Sequence, residues 1–525
     1  MNTNALRQKI LDLAIHGKLV KQDPSDESAT ILLEKIRAEK EKKIASGELK
    51  RGKNDSYIFF GDDNRHYEKF ADGRVKDIED EIPFVVPEGW AWCRLGEIYY
   101  HTTGKALKKS NEKGSLKKYI TTSNLYWDTF DFSKVRSMYF TDEELDKCTI
   151  KKGDLVVCNG GDVGRAAIWN YDHDICYQNH VSRMRPKING VENRFFLYVL
   201  MFYKEQNLLS GKGIGISSLS ASDLLSAIVP LPPTNQQRLI VSEIQKIFTQ
   251  INLLEQNKVD LQTAVKQAKS KILDLAIRGK LVPQDPADEP ARVMLEKLRA
   301  EKEAKIVAGE IKRGKNDSYI YKNSTDNCYY QKYTDGCEEN ISDEIPFTVP
   351  EGWMWCRLGE ISSELGDGIH GTPEYKQNGS CYFINGNNLS NGKIIIKEET
   401  KTVGEEQYRR YKKSLSSKTM FVSINGTLGS IAFYNNEHII LGKSVCYFNL
   451  VNERLKYFFY FLLNSQYFQK YAKEVATGST IKNVSLKAMN SFLIPLPPLF
   501  EQQRIVTKIE ELFAQLDFIT TTLTK

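Results

Sequence analysis

Between Asn235 and Arg278 the apolar side chains fall at Ile240, Ile244, Ile247, Ile251, Leu254, Leu261, Val265, Ala268, Ile272 and Leu275, in alternating steps of four and three broken once, at Lys258. No Pro or Gly interrupts the stretch. Such a seam predicts one coiled-coil helix of about 66 Å, at about 1.5 Å per residue. The C-terminal stretch repeats the seam at Ile505, Ile509, Leu512, Leu516, Ile519 and Leu523, and Leu6, Ile10 and Leu13 form a third piece of it. The two long helices are expected to pair antiparallel, with residues 1–16 as the mate of 263–278. Pro230, Pro232 and Pro233 precede the first long helix and Pro495, Pro497 and Pro498 the second, which sets an extended approach and a sharp helix start. The intervening stretches, 81–230 and 344–495, alternate short β-branched and aromatic runs with Gly and Asn turns. They predict compact mixed α/β domains.

This pattern occurs twice. Gln8–Ile58 returns as Ser270–Ile320, DEIPFVVPEGWAWCRLGEI (Asp80–Ile98) as DEIPFTVPEGWMWCRLGEI (Asp343–Ile361), and VPLPPTNQQR (Val229–Arg238) as IPLPPLFEQQR (Ile494–Arg504). A period near 265 residues is far too long for a solenoid and marks two copies of a whole module. Lys525 falls opposite Asp260 and Met1 opposite Thr263, so the N-terminal helix is expected to complete the second copy, as in a circular permutation about a pseudo-twofold axis. The expected organisation is α+β: helical 1–80, globular 81–230, central helical 231–343, globular 344–495 and a C-terminal helix 496–525.

Composition narrows the class only a little. At 525 residues with 41% hydrophobic and 27% charged, the chain folds and has more than one core. It has no run of 18 apolar residues and no signal-like N-terminus, and its nine cysteines form no CxxC pair. A reducing cytoplasm is the expected location. Lys and Arg exceed Asp and Glu by 73 to 67, a net charge too small to demand or exclude nucleic acid.

The copies are near-identical in their helical parts and diverge in the globular ones, as if one scaffold carried two different readers. The divergent parts hold groups suited to nucleic acid. Lys105, Lys108 and Lys109 suit phosphate contacts, while Thr121, Thr122, Ser123 and Asn124 at a strand end suit base edges. Asn159 and Arg165 bound a glycine-rich turn, and Lys212 and Ser217 lie in a second one. The other copy offers His370, Thr372, Asn385, Asn387, Asn388, Thr427, Ser479, Thr480 and Lys482 in comparable loops. Trp90, Trp92, Trp353 and Trp355 are expected in cores, because they belong to the repeated part. Catalytic patterns are missing. Gly442-Lys443-Ser444 lacks the upstream glycine of a phosphate loop, with Glu437 in its place, and there is no GxGxxG or HExxH. The histidines show no metal-ligand spacing.

These blocks resemble the DNA-specificity (S) subunits of Type I restriction–modification enzymes. VPEGWAWCRLGEI and VPEGWMWCRLGEI look like the openings of that family's target-recognition domains, and IVPLPPTNQQRLIVSEI and LIPLPPLFEQQRIVTKIEELFAQLD like their exits. ILDLAIRGKLVPQDPADEPARVMLEKLRAEK is similar to its inter-domain region, and GDGIHGTPEY, YFINGNNLSNGKI and SINGTLGSIAFY to a recurrent second recognition domain. The resemblance implies target-recognition domains at 81–230 and 344–495. It implies a non-catalytic reader of an asymmetric bipartite site in double-stranded DNA. It also implies two methyltransferase (M) subunits that bind S-adenosylmethionine, and restriction (R) subunits that use ATP and Mg. An autonomous restriction or methylation enzyme and a coiled-coil scaffold for proteins alone are the competing classes.

Overall fold

The computed structural model describes residues 2–52, 55–107, 113–209, 219–310, 313–314 and 317–524. It divides into two compact units, Met1–Asn257 and Lys258–Lys525, built from the same succession of elements.

In unit 1 the helix Thr3–Ile15 starts on Asn2, whose Oδ1 accepts the Ala5 N–H at 3.1 Å. It stops at Gly17, φ 65°. A Cβ there would lie 2.4 Å from the Pro87 ring, so the left-handed turn and the close approach both require glycine. Gly279 repeats this against Pro350.

The helix Ala29–Ala45 and a three-stranded meander follow, Ser56–Phe60, His66–Phe70 and Val75–Asp77. Its inner face places Ile58 in a small core with Ile78, Trp92 and Ile228. Unit 2 repeats the helix at Ala291–Val307 and the meander at Ser318–Lys322, Tyr329–Tyr333 and Glu338–Asn340. There Ile320 packs with Ile341, Trp355 and Leu493. The meanders correct the expectation that 1–80 and 231–343 are helical. Their two-residue period is short and follows a 17-residue helix that dominates any wide window.

The ends of each globular segment meet. Ala91–Arg94 pairs antiparallel with Ile228–Leu231, and Met354–Arg357 with Leu493–Leu496. These two-stranded pairs have free edges, which tolerate Pro230 and Pro495. The four tryptophans at these joints are at most 7% exposed, as expected of core residues. Within the segment, unit 1 has the antiparallel sheet Ala166–Ile168, Leu155–Cys158, Val181–Pro186, Tyr99–Thr103. A second sheet contains one parallel pair, Ile175–Tyr177 beside Ser115–Ile120. Unit 2 answers with Ser362–Asp367, Val445–Leu450, Thr419–Ser423, Ile431–Phe433, and a parallel pair of Cys381–Ile384 with Ile439–Leu441. The helix Asn193–Glu205 in one unit and Lys456–Asn464 in the other bury Phe195, Phe196, Phe458 and Phe459 in the main cores.

The long helices begin at Thr234 and Leu499, directly after Pro233 and Pro498. The place of residues 1–16 differs from expectation. In unit 1 Arg7 reaches Glu255 at 3.0 Å and Asn252 at 2.5 Å and lies over the Phe248 ring, while Asp26 accepts from Asn235. In unit 2 Lys269 pairs with Asp517 at 2.5 Å over the Phe513 ring, and Asp288 pairs with Arg504 at 2.6 Å. Rising numbers meet falling ones, so each pair of chain segments runs antiparallel. The mate of 263–278 is therefore Leu499–Thr524, and residues 1–16 pair with the first half of the long helix. The seam is also buried only in part. Ile240, Ile244, Ile251 and Val265 are buried, but Leu254 is 50% and Leu261 38% exposed. The side chain of Leu523 lies outside the described residues. Among the described residues no helix is long and apolar enough to cross a membrane.

Candidate nucleic-acid interface

Each globular segment gathers its loops at the ends of its sheets, and the two units do so with the same backbone bonds. In unit 1 the Asn159 N–H donates to the His180 carbonyl at 2.8 Å, and the Leu219 N–H to the Asn159 carbonyl at 2.8 Å. In unit 2 the Ile424 N–H donates to the Ser444 carbonyl at 2.9 Å, and the Val484 N–H to the Ile424 carbonyl at 2.8 Å. The glycine-rich loops that leave these points, 158–165 and 423–430, share left-handed glycines. Gly161 and Gly164 have φ of 75° and 82°, and Gly426 and Gly429 have 74° and 77°. Turns of this conformation need glycine to bring backbone N–H groups close to a ligand.

The unit 2 cluster joins five loops. Ser444 Oγ donates to Asn385 Oδ1 at 3.0 Å and accepts the Gly386 N–H at 2.9 Å. The Gly426 N–H donates to the Lys482 carbonyl, and the Lys443 N–H to the Ile369 carbonyl, each at 3.0 Å. This brings His370, Asn385, Asn387, Thr427 and Lys482 onto one set of interlocked loops. His370 points outward, 74% exposed, with Nε2 2.7 Å from Asp367. Thr372, Asn387, Thr427, Ser479, Thr480 and Lys482 are exposed as well. Ser444 and Lys443 join them although sequence reasoning passed over both, having weighed the Gly-Lys-Ser triplet only as a phosphate loop. Aligning the halves at a shift of 264, which sets Ser444 opposite His180, would have marked it.

Several sequence candidates are removed from the interface by the structure. Asn124 and Asn388 are 3% and 4% exposed. Their amides close equivalent capping turns, donating to the Asp131 and Lys134 carbonyls and to the Ile395 carbonyl and Thr400 Oγ1. Thr121 is the buried cap of the first turn. Lys105 donates to Glu144 at 2.6 Å and to the Tyr139 carbonyl at 2.8 Å, and its hydrogen bond holds the Glu144 carboxyl below the usual range. Arg165 is half-buried, tied to the Thr122 carbonyl at 2.7 Å and set over the Tyr126 ring. Asn159 is buried at the base of its loop and donates to Ser182 Oγ. Lys105 was chosen for phosphate contacts and the other five for polarity at strand ends and turns, where polar side chains also hydrogen-bond the turn itself. Thr122 is half-buried and Ser123 exposed. Lys108, Lys109, Lys212 and Ser217 lie outside the described residues.

The exposed groups that remain are hydroxyls, amides, an imidazole and ammonium groups. They can bond base edges and phosphates. The cysteines nearby are free and unreactive in setting, with burial pushing the Cys158 thiol up to about 11. Among the described residues no group of three His, Cys, Asp or Glu side chains could hold a metal ion.

A repeated scaffold that presents two unlike polar loop clusters is the arrangement of a DNA-specificity protein. The chain belongs to the Type I restriction modification DNA specificity domain family, whose model matches residues 87–263 and 350–525. Among relatives of Escherichia coli it is 24% identical to the Type I restriction enzyme EcoEI specificity subunit, over 98% of this chain and 89% of that one. It is 25% identical to the EcoAI specificity subunit, over 97% and 88%. A solved HsdS subunit from Thermoanaerobacter tengcongensis is 16% identical with a TM-score of 0.46, covering 85% of this chain and 94% of that one.

Proposed function

We propose that the chain is the specificity subunit of a Type I restriction–modification complex and reads an asymmetric bipartite site in double-stranded DNA, one half-site per unit. It has no catalytic role of its own and works in the cytoplasm. It directs adenine methylation by two M subunits that bind S-adenosylmethionine, and cleavage by R subunits that use ATP and Mg. One observation carries this reading: the two loop clusters share their backbone bonds but not their side chains. Identical readers would select identical half-sites, and unlike ones select different half-sites. The half-buried Thr122 and the exposed Ser123, His370, Thr372, Asn387, Thr427, Ser479, Thr480 and Lys482 are the proposed contacts. The length of the long helices sets the spacer between half-sites. Leu253, Leu254, Val259 and Leu261, each at least 38% exposed on the long helix, support a protein partner there.

Methylation by the chain assembled with its M subunits, followed by mapping of modified adenines, tests the reading. Two unlike half-sites at a fixed spacing are expected. A continuous palindrome, or no sequence-dependent methylation, overturns it.

A further inference from the structure

The loop 477–483 of unit 2 is closed by its own ends. Thr477 and Asn483 each donate an N–H to the other's carbonyl at 2.9 Å. Three more bonds pin it to the 423–430 loop. The Gly426 N–H donates to the Lys482 carbonyl at 3.0 Å, the Val484 N–H to the Ile424 carbonyl at 2.8 Å, and Asn425 Nδ2 to Asn483 Oδ1 at 3.2 Å. Inside this frame Gly478 turns at φ 99°, and a Cβ on it would lie 2.3 Å from the Ile481 carbonyl oxygen. Only glycine fits there, so the backbone at Ile481 is held in one place.

The side chain at that place is out of character with its surroundings. Ile481 is 59% exposed. Ser479, Thr480 and Lys482 beside it are polar and exposed, as is Thr427 on the adjoining loop. Val484, three residues on, is 1% exposed in the main core, to which Ile481 does not belong. Across 423–430, 443–444 and 477–483, Ile481 is the one exposed apolar residue. Single exposed apolar residues are ordinary on a surface. This one is fixed in the middle of a set of hydroxyl and ammonium groups, and the backbone bonds that close its loop would form equally around a polar side chain. The fold does not call for it.

The chemistry of base edges does. In the major groove guanine, adenine and cytosine present hydrogen-bonding groups, whereas thymine alone adds a methyl group, next to its O4 acceptor. An aliphatic side chain flanked by two donors, the Thr480 hydroxyl and the Lys482 ammonium, matches that edge. Against cytosine the same donors would meet the N4 amino donor, and no methyl would cover the isoleucine. A site so arranged discriminates by a repulsive contact as well as an attractive one.

We propose that Ile481 is a specificity-determining residue that covers the 5-methyl group of one thymine in the half-site read by unit 2. This rests on reading the chain as a DNA-specificity subunit, and adds an apolar contact to its polar ones. The test titrates the full chain, assembled with its M subunits, with duplexes of its mapped site in which each thymine of both half-sites is replaced in turn by deoxyuridine. That change removes the methyl group and nothing else. One position should weaken binding by the unsubstituted chain about fourfold, the worth of one buried CH₂-sized group. Ile481→Ala should bind the thymine duplex at least about fourfold more weakly and be indifferent to deoxyuridine at that position, while Ile481→Val keeps the discrimination. Ile481→Ala should melt like the unsubstituted chain, because Ile481 lies outside the core. Should it fold poorly, the deoxyuridine series with Ile481→Val still reads the contact. A deoxyuridine cost that is the same at every position in Ile481→Ala and in the unsubstituted chain overturns the proposal. So does weakened M-subunit binding with the thymine preference kept, which would make Ile481 a protein contact. A complex that prefers no sequence sinks the functional reading and this one with it. A complex that reads its site but responds to no deoxyuridine sinks this one alone.

Discussion

Under the loops of unit 1, Ser182 Oγ lies 2.6 Å from His101 Nε2 and 2.6 Å from Asn159 Nδ2. Unit 2 fills the same three ladder positions with Cys446, Leu365 and Ile424. At the other end of the same strand pair, Asp154 binds Arg185 at 2.7 Å in unit 1, where Thr419 and Asn449 meet at 2.5 Å in unit 2. The backbone ladder is common while the buried chemistry beneath the loops is not. By contrast Arg37–Glu97, Lys40–Asp55 and Arg51–Glu41 return as Arg299–Glu360, Lys302–Asp317 and Arg313–Glu303, although Arg94–Glu68 becomes Arg357–Gln331. A ladder can be reused because backbone groups are the same for every residue, whereas a polar side chain under it must be satisfied locally. Divergence therefore extends from the loops into the core beneath them.

The largest test of this contrast is removal of residues 1–16. It takes Leu11, Ala14 and Ile15 from the unit 1 core and should cost several kcal/mol, at roughly 1.5–3 kcal/mol per large buried apolar side chain. Hydrogen exchange should show lost protection in unit 1 and none in 258–525. Equal loss in both would break the picture of self-contained units. A change on the readers should act on recognition alone. Replacing Thr372, Asn387, Thr427 and Thr480 with alanine should lower affinity for one half-site at least about a hundredfold, at about 1–3 kcal/mol per base contact. Methylome mapping should find the other half-site still read.

Smaller effects sharpen the comparison. Gly164→Ala and Gly429→Ala both force a side chain into φ near 80°, at about 1–2 kcal/mol. The second should melt lower, because its Cβ would also meet the Gln469 amide at 2.5 Å, against 3.1 Å to Leu209 Cδ1 for the first. The smallest effect concerns pH. Burial, with Arg183 nearby, holds His101 below its ordinary value of 6.5. The fold favours neutral imidazole, so this stability is present above pH 6.5 and is lost as pH falls through the lowered value. Unit 1 should lose exchange protection on acidification, and His101→Leu, which installs the unit 2 residue, should remove that component. A slope unchanged in the variant would assign it elsewhere.

The duplication, the proline-set helix starts and the core tryptophans were readable because each depends on neighbours within a few residues or on comparing one half with the other. The meanders were missed because strands of three to five residues carry little periodic signal after a helix of 17. The middle of the seam was misjudged for a different reason. Heptad spacing shows which face of a helix is apolar, but the length of the facing helix decides how much of that face is covered. Leu254 and Leu261 keep the spacing and remain exposed.

Asn387 and Asn388 show where sequence alone stops. They are adjacent, identical in chemistry and in one turn, yet Asn387 faces solvent while Asn388 is buried on the Ile395 carbonyl and Thr400 hydroxyl. The sequence by itself determined that polar residues gather at these strand ends, since turn chemistry is local. Which of them remain free for a ligand was decided only in the tertiary structure. A side chain is spent or available according to the donors and acceptors that the rest of the chain folds around it.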